Sequence, residues 1–169
     1  MSLVMGAGAA VAHDCEIVAD CGHAVTIGAG SVVNPLARIV ARSGPITIGA
    51  GCVVEELAEI INDDSAKGAA GGAGDGEGGS GGGGAGVDGG DAAAATGIVI
   101  GDGCVLEVGC RVEAASVGAS TLVEVRAVLE RGSVLGAGCV VAPTAVVASG
   151  ASVPAATCVY RLGDDGPCR

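Results

Sequence analysis

The chain has 169 residues, half of them hydrophobic, yet Tyr160 is its one aromatic side chain and Phe and Trp are absent. A globular core of this size would draw on several aromatics for volume, so an ordinary packed domain is disfavoured. The formal net charge of −11 argues against nucleic acid or an anionic membrane as partner, and no apolar run of about eighteen residues is present to cross a bilayer.

In chain order, aliphatic residues recur every six positions. The first nine are Met5, Val11 and Ile17, then Ile27, Val33 and Ile39, then Ile48, Val54 and Ile60. Ile100, Leu106 and Val112 follow, and from Val117 the series runs unbroken through Val123, Leu129, Leu135, Val141, Val147 and Val153 to Val159. Four residues after most of these comes a small side chain such as Ser31, Cys52, Ala58, Cys104, Cys110, Thr121 or Cys139. A period of six suits neither a helix nor a plain alternating strand. It predicts an all-β, left-handed parallel β-helix of hexapeptide repeats, about seven triangular coils, each burying its apolar face by stacking on its neighbours. Glycine follows the aliphatic residue at Met5, Ile27, Ile48, Ile100, Val117 and Leu135, where a tight corner or close backbone approach would require it.

Every departure from the step of six falls after the third hexad of a coil. Four extra residues lie between Ile17 and Ile27, three between Ile39 and Ile48, and 34 between Ile60 and Ile100; one is missing between Val112 and Val117. Insertions at one corner leave the stacked strands intact. The expected organisation is therefore β-helix over 1–62, a Gly/Ala-rich acidic flexible loop over 63–97, the same β-helix resumed over 98–160, and a tail over 161–169. Residues 62–96 hold 14 Gly, 9 Ala and six acidic residues against one lysine, a composition that cannot offset its ordering entropy by burial. The loop lacks the Gly-Lys-Ser/Thr ending of a phosphate cradle. Met1–Ala12 has no basic segment and already keeps the repeat register, so it reads as a mature cytoplasmic N-terminus rather than a signal peptide.

Eight cysteines invite a metal or disulfide reading, but there is no Cys-x-x-Cys. Cys15, Cys21, Cys52, Cys104, Cys110 and Cys139 stand at the small inward position and read as compact apolar filler; Cys158 and Cys168 are less constrained. Free thiols in this number suit a reducing compartment. Enzymes on this fold depend on histidine, as the general base of hexapeptide acyltransferases or as the three zinc ligands of γ-class carbonic anhydrases. Only His13 and His23 are available. His13 is the candidate acyl-transfer base, two histidines do not complete the zinc site, and the bland reading of both is a solvated corner. No metal, cofactor or catalytic residue is expected.

The stretch Val25–Asn62, VTIGAGSVVNPLARIVARSGPITIGAGCVVEELAEIIN, resembles the dynactin subunit six family, small β-helix proteins of the dynactin pointed-end complex. The likeness includes residues outside the hexad pattern: Asn34-Pro35, Ala37-Arg38-Ile39, Gly44-Pro45-Ile46, Glu55-Glu56 and Ile60-Ile61-Asn62. It continues over Ile98–Val159, with Leu106-Glu107-Val108-Gly109-Cys110, and covers roughly residues 3–160. The family's C-terminal helix has no counterpart before Arg169, and the insertion with Cys21 and His23 is particular to this chain.

The resemblance implies a non-catalytic structural subunit, not an enzyme, cytoplasmic and associated with the cytoskeleton. It would pair with a second β-helix subunit and, with other dynactin subunits, cap the actin-related filament, supporting cargo recruitment by the dynein motor in microtubule-based transport through cargo adaptors. Nucleic acid and membrane insertion are not expected. Interface candidates are Arg38, Glu55, Glu56, Asn62, Glu107 and Glu124, although charge at such positions can simply keep a face soluble. The alternative is a hexapeptide-repeat acyltransferase or γ-carbonic-anhydrase-like protein, possibly inactive.

Overall fold

The computed structural model describes residues 2–20, 22–64 and 97–161. The expected acidic loop and C-terminal tail fall outside these except for Asp63, Asp64, Gly97 and Arg161, as do Cys21 and Cys168.

Twenty short strands make three parallel sheets, and successive strands pass from one sheet to the next. Sheet A contains β1 (Ser2–Met5), β4 (Ala24–Ile27), β7 (Ile46–Ile48), β10 (Ile98–Ile100), β13 (Ser116–Val117), β16 (Val134–Leu135) and β19 (Ser152–Val153). Sheet B contains β2 (Ala10–Val11), β5 (Val32–Val33), β8 (Val53–Val54), β11 (Val105–Leu106), β14 (Leu122–Val123), β17 (Val140–Val141) and β20 (Cys158–Val159). Sheet C contains β3 (Glu16–Ala19), β6 (Arg38–Ala41), β9 (Glu59–Asn62), β12 (Arg111–Val112), β15 (Val128–Leu129) and β18 (Val146–Val147). The result is a left-handed parallel β-helix of hexapeptide repeats: six complete coils and two strands of a seventh.

Each aliphatic hexad position lies in a strand and stacks on its equivalent in the next coil, as in the pairs Ile48↔Ile100 and Ile100↔Val117. Val123, Leu129 and Leu135 are buried, and so are the small residues Ala127, Ser133 and Cys139. Burial weakens at the ends, where a coil has only one neighbour. Met5 is 44% exposed, and Val153 and Val159 are only partly covered.

The three corners differ. At the A–B corner the predicted glycines form a column in which each backbone touches the next. A Cβ on Gly101 would lie 2.5 Å from the nitrogen of Ala119 and 2.8 Å from its Cα. Beside this column the inward donors reach the carbonyl of the following coil. Ser31 Oγ donates to Gly49 O at 2.8 Å, Cys52 Sγ to Gly101 O at 3.1 Å, Cys104 Sγ to Gly118 O at 3.2 Å and Cys139 Sγ to Pro154 O at 3.1 Å. These cysteines are therefore free, buried thiols that fill space and also satisfy backbone. Cys104 is pushed up by its neighbour Cys52 and by burial, and Cys110 is pushed up to about 12 by burial.

All insertions leave the C–A corner. There β3, β6 and β9 run two residues past the hexad position, pairing Ala19↔Ala41 and Ala41↔Asn62. Asn62 is consequently buried, at 5% exposure, and its carbonyl accepts from the amides of Arg42 and Ser43. No helix among the described residues is long and apolar enough to cross a membrane.

Candidate functional site along one corner

The interior is filled by aliphatic and small side chains, so binding or chemistry has to use the outer surface. Two outer regions concentrate polar groups: the C–A corner around the insertions, and the B–C corner.

At the C–A corner, arginines are interleaved with acids. Arg42 donates through Nε to Asp20 Oδ2 at 3.2 Å and through a terminal nitrogen to Asp63 Oδ2 at 3.0 Å; Asp63 first, then Asp20, raise its pKa further. Arg131 pairs with Asp64 and lies 3.6 Å from Glu113, which also pairs with Arg111. Asp64, Glu113 and Arg131 of this group line a cavity of about 140 Å³ together with Ile61, Asn62, Gly97 and Ile98. Each guanidinium already faces a carboxylate, so an anion entering here would have to displace one. The network braces the strand extensions and the point where the long insertion leaves.

At the B–C corner four residues turn the chain between sheets, and like positions stack from coil to coil. The first position carries Asn34, Glu55, Glu107 and Glu124 in successive coils, the second Pro35, Glu56, Val108 and Val125, and the third Leu36, Leu57, Gly109 and Arg126. Five of the six predicted contact residues meet here: Glu55, Glu56, Glu107 and Glu124 on the corner, and Arg38 just past it on β6. Asn62 does not, because its strand extension takes it under the opposite corner. The expectation that it is exposed is corrected.

Arg38 donates to Glu16 Oε2 at 2.9 Å and approaches Glu59 to 3.9 Å, so it belongs to a charge ladder up sheet C. Glu55 Oε2 accepts from Asn34 Nδ2 at 2.6 Å, and Glu107 Oε2 accepts from the amide of Val125 at 3.2 Å. None of Glu55, Glu56, Glu107 and Glu124 forms an ion pair among the described residues. Sequence reasoning missed the apolar partners of these carboxylates. Leu36 and Leu57 are 59% and 54% exposed, and Val108 and Val125 stand beside them in water. Their signal was present as leucine at a corner position where glycine is the neutral choice.

His13 occupies the first coil of the same corner. Its side chain is fully exposed and its Nδ1 lies 3.0 Å from Asp14 Oδ1. With a proton on Nδ1, that contact leaves Nε2 free to accept one. His23 stands at the C–A corner, away from His13. Among the described residues no three His, Cys, Asp or Glu side chains are grouped to hold a metal ion.

No protein-family model matches the chain, and no curated protein matches it in sequence. Among solved structures, a hexapeptide transferase family protein from Anaplasma phagocytophilum is similar at 15% identity and TM-score 0.58, over 97% of this chain and 86% of that one. A putative acetyltransferase from Bacillus cereus is similar at 13% identity and TM-score 0.36, over 95% and 83%. GDP-perosamine N-acetyl transferase from Caulobacter crescentus gives 19% identity and TM-score 0.35, over 97% of this chain and 59% of its own. Those two superpose too loosely to argue from. The first shares the whole coil stack, and it overturns the expectation that this chain is not an enzyme. That expectation rested on the dynactin resemblance, a filled interior and a shortage of histidines. A hexapeptide transferase family protein carries the same coil stack, so a filled interior does not by itself exclude catalysis at an outer corner. None of these three structures is a dynactin subunit. What is shown is the fold, a left-handed β-helix of hexapeptide repeats that this transferase family protein also has.

Proposed function

We propose that the chain is a hexapeptide-repeat acyltransferase-like protein, with His13 as general base. The observation that carries this is the coil stack shared with a hexapeptide transferase family protein over nearly the whole chain. The His13–Asp14 pair on the outer corner supports it. Asp14 holds Nδ1, and Nε2 takes the proton of an acceptor hydroxyl or amine as that oxygen or nitrogen attacks the acyl carbonyl of an activated donor. The proton then passes to the departing group. Because His13 is fully exposed, the wall that excludes water from the reaction has to come from the substrates or another protein surface.

The test is transfer of an acyl group from a thioester donor to a panel of amine and hydroxyl acceptors. His13→Ala should abolish it, with His13→Gln as a control for folding. Absence of turnover across the panel, or turnover indifferent to His13→Ala, overturns the assignment.

A second reading, as an assembly subunit of the dynactin pointed-end type, is favoured by a different observation. The non-hexad residues behind that resemblance, Asn34-Pro35, Arg38 and Glu55-Glu56, stand on the exposed B–C corner. Affinity purification of the tagged chain from its source tests it. Co-purification of actin-related filament proteins and a second β-helix subunit supports this reading, and their absence refutes it.

A further inference from the structure

We propose that the B–C corner is a docking ridge for a basic, amphipathic segment of another protein, one presenting an apolar strip flanked by lysine or arginine. The inference is independent of the acyl-transfer reading. Along this edge Leu36 and Leu57 at the third corner position and Val108 and Val125 at the second are exposed in four successive coils, and Pro143 is exposed at the second position of a fifth. Scattered exposed aliphatics need no explanation, but a continuous row along one edge marks a binding surface.

Folding does not explain the leucines. Leu36 and Leu57 have φ of 62° and 60°, the left-handed region, where a bulky side chain costs about 1 kcal/mol that glycine avoids. The equivalent residue of the next coil is Gly109, at φ 66°. Arg126 and Thr144 take the same conformation in the following coils, at φ 56° and 61°, so the corner imposes this backbone on whatever residue stands there, and leucine gains no burial in return.

The charges beside the row select the occupant. Glu55, Glu56, Glu107 and Glu124 flank it without a cationic partner among the described residues, and Arg126 is the one cation on the corner. A second copy would bring the same carboxylates against these, in a chain of net charge −11, and an anionic membrane would be repelled. A segment with lysine or arginine beside its apolar positions meets both features. With coils about 4.8 Å apart, five coils span about 19 Å, the length of about six extended residues or about thirteen helical ones.

The probe is a 14-residue peptide of leucine and lysine in amphipathic order, with a leucine/glutamate peptide as its counterpart, titrated against the full chain by fluorescence anisotropy. The lysine peptide should bind and the glutamate peptide should not. Leu36→Asn with Leu57→Asn should weaken binding about tenfold or more, because asparagine tolerates positive φ and removes only the apolar contact. Glu56→Gln with Glu124→Gln should weaken it several-fold, and Asp20→Asn, at the opposite corner, should not. Circular dichroism confirms that each variant is folded. Equal binding of both peptides, binding unchanged by the leucine pair, or equal loss with Asp20→Asn overturns the proposal. So does self-association of the chain in sedimentation equilibrium that Leu36→Asn with Leu57→Asn abolishes, since a second copy would then cover the ridge.

Discussion

The glycine column at the A–B corner makes a sharp test of how the coils are held together, because two glycines in adjacent coils of that corner should lose very different amounts of stability on substitution by alanine. A methyl on Gly101 would lie 2.5 Å from Ala119 N, 2.8 Å from Ala119 Cα and 3.0 Å from Gly118 C, all backbone. Relief to ordinary contact needs a shift of roughly 0.9 Å between coils, since no rotamer is available to give way. That shift pulls on hydrogen bonds now at 2.8 Å, Gly101 N to Val117 O and Gly118 N to Leu135 O. Overpacking at about 1–3 kcal/mol plus weakened hydrogen bonds at about 1 kcal/mol each gives a loss of about 3 kcal/mol or more. Gly51→Ala differs: φ is +63° and nothing lies within 4 Å of the new methyl, so only the left-handed backbone is disfavoured, at about 1 kcal/mol. Urea unfolding followed by circular dichroism would read both, and a difference of about 2 kcal/mol corresponds to roughly 4–8 °C in Tm for a chain of this size. Equal losses, or a costlier Gly51→Ala, would refute the idea that this corner is set by backbone contact.

Other perturbations test the core, the donor column and the thiols. Leu129→Ala should lose about 2–5 kcal/mol by leaving a cavity between Val112 and Val147, and denaturant titration measures it. Ser31 Oγ donates to Gly49 O and accepts from the amide of Cys52 at 3.0 Å; Ser31→Ala strands both groups and should cost about 1–3 kcal/mol, with Ser31→Cys losing less. Cys110, pushed up to about 12 by burial from an ordinary value of 9.0, keeps its proton in the folded chain while the unfolded chain releases it. Stability should therefore fall as pH rises from about 9 to 12, by about 1.4 kcal/mol per unit for this group, and remain flat with respect to it below 9. Cys110→Ala, matching Ala58 and Ala127 in the same column, should flatten that slope in unfolding curves taken across this range. Among the described cysteines, Cys158 is exposed while Cys52, Cys104, Cys110 and Cys139 are buried; a thiol reagent at pH 8 should label the first in the native state and the others only on unfolding.

The coil frame was legible because a single constraint, one inward aliphatic and one small residue per side, repeats with a period no other fold shares. Met5 to Val159 all fall in strands for that reason, and the glycines at 6, 28, 49, 101, 118 and 136 could be read as sites of close approach. What lay beyond the frame depended on coil-to-coil register. Asn62 looks like the start of a loop in sequence; in space Ala41 pairs with it and draws it into the sheet. Arg42, Arg131, Asp20 and Glu113 are far apart in the chain and become a brace once the corner stacks them. The expectation that the chain is not an enzyme rested on the dynactin resemblance, the histidine count and the filled interior, none of which speaks to what an outer corner can do.

The three corners therefore divide the work of the molecule, and the division follows from what each has to accommodate. The A–B corner brings consecutive coils into backbone contact, which leaves room for glycine and for a hydroxyl or thiol that reaches the next carbonyl. It can hold the stack but present little. The C–A corner accommodates extra residues by lengthening β3, β6 and β9 and binding their ends with ion pairs, so its charges are spent on one another. The B–C corner keeps the six-residue step throughout, and along it carboxylates without ion pairs among the described residues stand beside exposed aliphatics. Glu55 and Glu107 each hydrogen-bond to a neighbouring coil, whereas the Glu56 and Glu124 side chains and the exposed leucines make no such bond among the described residues. A partner's surface, or a substrate brought to His13 at the end of the same edge, is what they are placed to meet.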